Sequence, residues 1–305
     1  MDTRFLTSLS SVIECGSIAE AARRQNLTAA AISQRIKALE AILKCPLLIR
    51  TGHSAKPTNE CLRLLPKLQQ IERLSAQLQD DLDTTGLTGT LKVGVISSVL
   101  SGCFPKCIQG LNQQAPNILM KIVPGSSEQL YQALLQQKID LAVLVQAPFK
   151  IPKVLQYKAL FEEPLLFISK EAQHNHKSAL QKLPFIQYDK NSWGGAIANT
   201  YLQDESINTT PLCAVDSLET IAMMVSQGMG ASLIPNWQGL EQFQQALSCE
   251  LIEDAKYQRS IGILSHRQSS KAPLLEKFQQ VLCEVVAQGS TPESVSTNNL
   301  DHGVH

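Results

Sequence analysis

One segment combines the residue types needed to read a polar, anionic surface: TAAAISQRIKALEAIL at 28–43. At the helical advance of roughly 100° per residue, Ile32, Ile36, Leu39 and Leu43 fall on one edge. Ala30, Gln34, Lys37 and Ala41 then lie opposite, with Ser33 beside them. Small residues let a helix approach base edges, Gln pairs bidentately with adenine, and Lys takes a guanine or a phosphate. An ordinary amphipathic helix with a solvated face has the same periodicity, so the neighbours decide. Downstream, PLLIRTGHSAKPT places Arg50, His53 and Lys56 around Gly52. Cations in such a turn contact phosphates and fix the orientation of a reading helix.

A second set consists of hydroxyls and polar groups just after strands. Ser97 and Ser98 follow one strand, and Ser126 and Ser127 follow the next. Asp216 and Ser217 follow a later one, and Asn191, Ser192 and Trp193 precede a helix. Such positions gather at the carboxyl ends of strands, where α/β sheets bind ligands. Hydroxyls and free backbone N–H groups suit an oxygen-bearing or anionic small molecule, although serine there also simply caps helices.

Covalent and metal chemistry find less support. No G-x-S-x-G, Walker A or H-E-x-x-H pattern occurs. His174 and His176 sit in a polar stretch with no visible carboxylate partner, and His266 is expected at a strand end. Cys103 and Cys107 share a helix face but lack further ligands, so the expectation is buried, inert thiols and no metal. Neither an enzyme nor a resident cofactor is expected.

The elements that position these groups are legible. Phe5, Leu9, Val12 and Ile13 space a first helix that Gly16 ends. Ser17 to Glu20 reads as a capping box opening a short Ala-rich helix. Asn26-Leu27 breaks the chain, Thr28 caps the next helix, and 47–49 is a short strand. Two helices joined by a tight turn and followed by a basic loop make a DNA-reading arrangement. From 58 to 83, Leu64, Leu68, Ile71, Ser75, Leu78 and Leu82 form a heptad-like seam flanked by Leu65 and Leu74, with Pro66 inside. From 90 onward strands and helices alternate as βαβαβ, a second half follows, and 261–265 returns to the first. Asp216 to Glu219 reads as a capping box.

The expected fold class is therefore α+β multidomain: a winged helix-turn-helix at 1–58, a long linker helix at 59–88, and a two-lobed α/β domain at 89–288. Lobe I takes about 89–160 and 265–288, lobe II about 161–264, and 289–305 forms a disordered polar tail. Composition agrees. The total formal charge is zero, yet residues 1–57 hold eight Lys/Arg against four Asp/Glu. A neutral total thus conceals a basic head. The first residues show no signal-peptide pattern and no apolar run is long enough to span a bilayer, so a cytoplasmic protein without membrane contact is expected. That also opposes a ligand-binding transport module.

Residues 5–61 resemble the head of the LysR-type transcriptional regulators. The resemblance rests on Gly16-Ser17, Ala21-Ala22, Ile32-Ser33, Ile36, Leu39-Glu40, Pro46-Leu47-Leu48, Arg50 and Pro57-Thr58. ISQRIKALE with PLLIRT further resembles the branch containing lysine and arginine export regulators. The sequence departs from the family where Lys44, Leu48 and Cys61 stand in place of Gly, Phe and Gly. The likeness continues more loosely through Lys138 to Ala142 and Gln227 to Pro235. It implies DNA contacts at Ala29, Ala30, Ser33, Gln34 and Lys37, with Arg50 and Lys56 in the wing. For the C-terminal part it implies a periplasmic-binding-protein-like fold holding a small-molecule co-inducer. The implied partners are double-stranded promoter DNA, the effector, a second copy through the linker helix in a homodimer or homotetramer, and RNA polymerase. An effector-independent DNA-binding regulator is the alternative.

Overall fold

A computed structural model describes residues 2–51, 54–80 and 87–289, and the chain divides into two compact units at 85/86. His53, Leu82 and the tail from 290 lie outside the described residues.

The first unit opens with three helices, α1 (Thr3–Cys15), α2 (Ile18–Arg24) and α3 (Ala29–Leu43). Leu6, Leu9 and Val12 of α1 meet Ile32, Ile36 and Leu39 of α3 in one core, across the small Ala21 and Ala22. Full burial of an aliphatic side chain contributes about 1.5–3 kcal/mol, so this stripe fixes how α3 lies. Gly16 ends α1 in the left-handed region at φ 65°, and Asn26 turns the chain at φ 52°. Ser17 stands at the N-cap of α2, but its side chain makes no cap bond, and Glu20 pairs instead with Arg23. The expected capping box is therefore absent: a nearby cation takes the carboxylate. Lys44 does adopt the left-handed cap at φ 53°, donating its N–H to Glu40. For a side-chain-bearing residue this costs roughly 1–2 kcal/mol.

Strands β1 (Leu48–Thr51) and β2 (Ser54–Pro57) pair as an antiparallel hairpin, Ile49 opposite Lys56. Helix α4 (Asn59–Asp80) follows, with Pro66 inside it. Thr58 caps its start, its hydroxyl accepting from Cys61 N–H at 3.1 Å and donating to the Pro46 carbonyl at 2.9 Å. The expected seam on α4 divides. Leu64 and Leu68 pack into the head's own core, whereas Ile71 and Leu74 are 39% and 55% exposed.

The second unit holds two lobes. Lobe I contains β3 (Gly89–Val95), α5 (Ser97–Leu100), α6 (Phe104–Gln114), β4 (Ile118–Pro124), α7 (Ser127–Leu135) and β5 (Leu141–Val145). Strand β3 runs parallel to β4 and to β5, as βαβ crossovers require. Strand β6 (Leu155–Ser169) leaves this lobe for lobe II. There follow α8 (His176–Lys182), β7 (Pro184–Tyr188), α9 (Gly195–Asp204), β8 (Thr210–Val215), α10 (Leu218–Ser226), β9 (Ser232–Pro235) and β10 (Ser248–Leu251). Finally β11 (Gln258–His266) returns to pair with β5 and β6, and α11 (Ala272–Gly289) closes lobe I beside α6. Strand β11 pairs with β5 over Ile261 to Ser265. The first half of β6 pairs with β11 and the second with β9 and β10, so one strand serves both lobes.

Candidate functional site

In the head, the α3 surface separates as its periodicity requires. Ile32, Ile36 and Leu39 are 0% exposed, while Ala29, Ala30, Gln34 and Lys37 are exposed and Ser33 is half-buried. The Thr28 hydroxyl accepts from Ala31 N–H at 3.1 Å, which secures the N-terminal turn. Lys56 is exposed on β2, and Arg50 lies on β1 opposite Ala55. Two polar side chains that sequence reasoning missed hold this arrangement. The Glu40 carboxylate accepts from Leu47 N–H at 2.8 Å and Leu48 N–H at 3.3 Å, so α3 fixes where the hairpin begins. Gln25 donates to the Thr7 carbonyl at 3.1 Å and accepts from the buried Ser8 hydroxyl at 3.1 Å. Arg35 of α3 donates to that same hydroxyl at 3.2 Å. Glu40 belongs to the resembling pattern, but no spacing rule shows which N–H groups it serves.

In the second unit, the strand-end groups converge on a cavity of about 210 Å³ between the lobes. Ser97, Ser98, Ser126 and Ser127 line it from lobe I, and Asp216 from lobe II. Their duties differ. Ser126 caps α7 in a reciprocal capping box with Gln129, and the Ser127 hydroxyl accepts from Val145 N–H at 3.2 Å. Ser98 is buried, and its hydroxyl accepts from Arg259 at 2.9 Å. Asp216 is exposed at the mouth. Desolvation of its carboxyl, with the charge of Asp189, pushes it above the usual range, while Ser192 and Arg259 pull against that.

Three expected contacts stand outside the cavity lining. Asn191 is exposed and donates to Asp189 Oδ1 at 3.0 Å. Ser217, rather than Asp216, is the N-cap of α10, its hydroxyl accepting from Thr220 N–H at 3.2 Å. The chain reaches helical geometry one residue later than the capping pattern suggested. Trp193 packs in an aromatic cluster with Tyr131 and Phe149.

The cleft's main electrostatic feature was absent from the sequence reading. Arg259 on β11 and Glu163 on β6 are 3% and 5% exposed and form an ion pair through the guanidinium Nε. Arg259 also donates to the Tyr188 hydroxyl at 3.3 Å, and both Arg259 and Tyr188 line the cavity with Ser192 and Gly194. Burial pushes the Glu163 carboxyl upward against the pull of Arg259. Burial opposes the charge on Arg259 in turn, yet Glu163 and Tyr188 hold it above its ordinary value. Gly195, next to the cavity-lining Gly194, opens α9 where a Cβ would lie 2.0 Å from the Asp189 carbonyl oxygen, so no side chain fits at that position.

Other titratable groups lie elsewhere. His176 does have a carboxylate partner: Nδ1 donates to Glu250 of β10 at 2.5 Å, and Nε2 faces the Tyr201 hydroxyl at 2.7 Å. Glu250 is distant in sequence, which concealed the pair. His266 ends β11 and meets the Leu134 carbonyl at 3.1 Å. Burial pushes the Cys103 and Cys107 thiols up to about 11 and about 12. Among the described residues no cluster of His, Cys, Asp or Glu is arranged to hold a metal ion, and no helix is long and apolar enough to cross a membrane.

Comparison with known proteins agrees with both halves. Residues 3–62 match the bacterial regulatory helix-turn-helix proteins of the lysR family, and residues 84–287 match the LysR substrate binding domain. The chain belongs to the LysR family: it is a transcription regulator with a DNA-binding helix-turn-helix head and an effector-binding domain. It is similar to the HTH-type transcriptional regulator CzcR of Bacillus cereus, 27% identical over 77% of this chain and 80% of that one. Over a shorter stretch, 47% of this chain and 49% of the relative, it is 32% identical to the regulator DgdR of Burkholderia cepacia. Its fold is that of a full-length OxyR variant from Pseudomonas aeruginosa (TM-score 0.67, 19% identity, 94% of each chain). It is also that of full-length CbnR complexed with its target DNA (TM-score 0.64, 16% identity, 93% of this chain and 100% of that one).

Proposed function

We propose that α3 reads promoter DNA through Ala29, Ala30, Ser33, Gln34 and Lys37, with Arg50, Lys56 and His53 of the wing on phosphates. The single observation that carries this is the division of α3: Ile32, Ile36 and Leu39 are wholly buried, so Gln34 and Lys37 are turned outward together. The CbnR relative, solved on its target DNA, has this fold. The effector site is the inter-lobe cavity, whose volume and hydroxyl-rich wall suit a small oxygen-bearing molecule. Ser97, Ser98, Ser126, Ser127 and Asp216 form that wall, with Arg259 beneath them, and Asn191, Trp193 and Ser217 support its lobe II side. The resemblance to the lysine and arginine export branch concerns the head and assigns no effector.

The effector acts by favouring one of two lobe arrangements, and only its different affinity for the two can shift DNA binding. Self-assembly proceeds through α4, where Ile71 and Leu74 stand exposed one turn apart. The protein works in the cytoplasm by binding alone, with no resident cofactor. Measuring promoter affinity of the Gln34→Ala/Lys37→Ala chain tests the first part. A loss of tenfold or more is expected, and affinity equal to the parent's overturns it.

A further inference from the structure

Trp193 lies in lobe II by sequence, between β7 and α9, yet it packs against the core of lobe I. Its ring centroid is 5.9 Å from Tyr131 on α7 and 5.5 Å from Phe149 on the β5–β6 connection. Tyr131 and Phe149 are themselves 5.3 Å apart at 74°, so three rings close a triangle in which Phe149 meets both partners edge-to-face and Tyr131 and Trp193 are tilted at 59°. The triangle adjoins the cleft on both sides. Tyr131 lies one helical turn beyond Ser127, and Trp193 lies between Ser192 and Gly194, all three of which line the cavity. At the α5/α10 rim, Ser101 donates to Glu219 at 2.6 Å across the lobes.

We propose that Trp193, Phe149 and Tyr131 form a clasp that sets how far the lobes stand apart before any effector arrives. They are positioning residues: they face one another and hold the two walls at the separation the ligand meets. The clasp spans the α7/α9 rim, the Ser101–Glu219 tie spans the α5/α10 rim, and the cavity lies between them. This rests on the cavity being the effector site, but its test reads the lobes without ligand, so the two readings fail separately.

The chain has two tryptophans, Trp193 and Trp237, and Trp237 is 1% exposed inside lobe II. Full-length protein labelled with 5-fluorotryptophan therefore gives two fluorine resonances, assigned with a Trp237→Phe variant. The Trp193 resonance is expected at a packed position. Tyr131→Ala and Phe149→Ala should each move it toward that of solvent-exposed 5-fluorotryptophan, while Trp237 stays in place and Tyr131→Phe restores the parent position. Phe149 is 48% exposed, so its truncation leaves the fold standing should Tyr131→Ala fail to fold. Glu219→Ala should leave Trp193 packed, because the clasp holds its own rim. An exposed Trp193 signal in the parent overturns the proposal. So does a packed signal that Phe149→Ala does not move, or one that becomes exposed in Glu219→Ala.

Discussion

The α3 helix and the inter-lobe cavity build recognition surfaces in opposite ways. On α3, every proposed contact lies within nine residues of one rigid element, and one buried stripe orients them all. In the cavity, Ser98, Tyr188 and Arg259, with Glu163 paired to Arg259 behind the wall, come from four elements, and the first and last stand 161 positions apart. A local surface depends on one packing decision. A dispersed one depends on the registers of several strands, and tolerates the loss of a buried partner poorly.

That contrast can be broken most sharply at Arg259. Arg259→Met leaves Glu163 buried without its counter-charge, and a loss of about 3–5 kcal/mol in denaturant unfolding of the second unit is expected. The double variant Arg259→Met/Glu163→Leu should recover most of it; no recovery would mean the pair acts through something other than mutual charge. For the head, Ile36→Ala should lower stability by about 2–5 kcal/mol through the cavity it leaves. If its DNA affinity, measured where it remains folded, stayed at the parent's value, the buried stripe would not be what orients α3.

Smaller effects sharpen the picture. Gln34→Ala should cost about 1–3 kcal/mol of discrimination at one base position, seen in competition with operator variants. Lys56→Ala should instead weaken binding to all sequences alike and reduce the salt slope by about one. Cys107 offers a test in lobe I that turns on protons. Its thiol ionises only near 12 when folded, against an ordinary value near 9, so above that value the unfolded chain sheds a proton the native state keeps. Stability is therefore lost as pH rises, by about 1.4 kcal/mol at pH 10 from this group. Cys107→Ala should show a correspondingly shallower fall in unfolding free energy between pH 8 and 10; equal slopes would place the thiol in contact with water.

How far the sequence could be read follows the same division. Periodicity alone identified the edge of α3 formed by Ile32, Ile36 and Leu39, since each residue's direction follows from its neighbours three and four positions away. The alternation of strands and helices gave the two-lobed plan, and strand ends gave Ser97, Ser98, Ser126, Ser127 and Asp216. What escaped was pairing over long separations. Nothing local to Arg259 says that it meets Glu163, and nothing near His176 points to Glu250. The capping of α2 and α10 was misjudged by a different route, because Arg23 takes Glu20 and the helix at 218 starts one residue late. The linker seam split because Leu64 and Leu68 found apolar neighbours in their own domain.

Strand β6 also decides how the two lobes are joined. It passes through both lobes from Leu155 to Ser169 and carries one extra residue, Leu160, where its pairing with β11 shifts between Ile261 and Gly262. A swivel made of loop has almost no restoring torque, whereas a hydrogen-bonded ribbon resists twist along its whole length. Any rotation of one lobe against the other would therefore have to twist this ribbon, and the extra residue at Leu160 is where such a strand bends most readily.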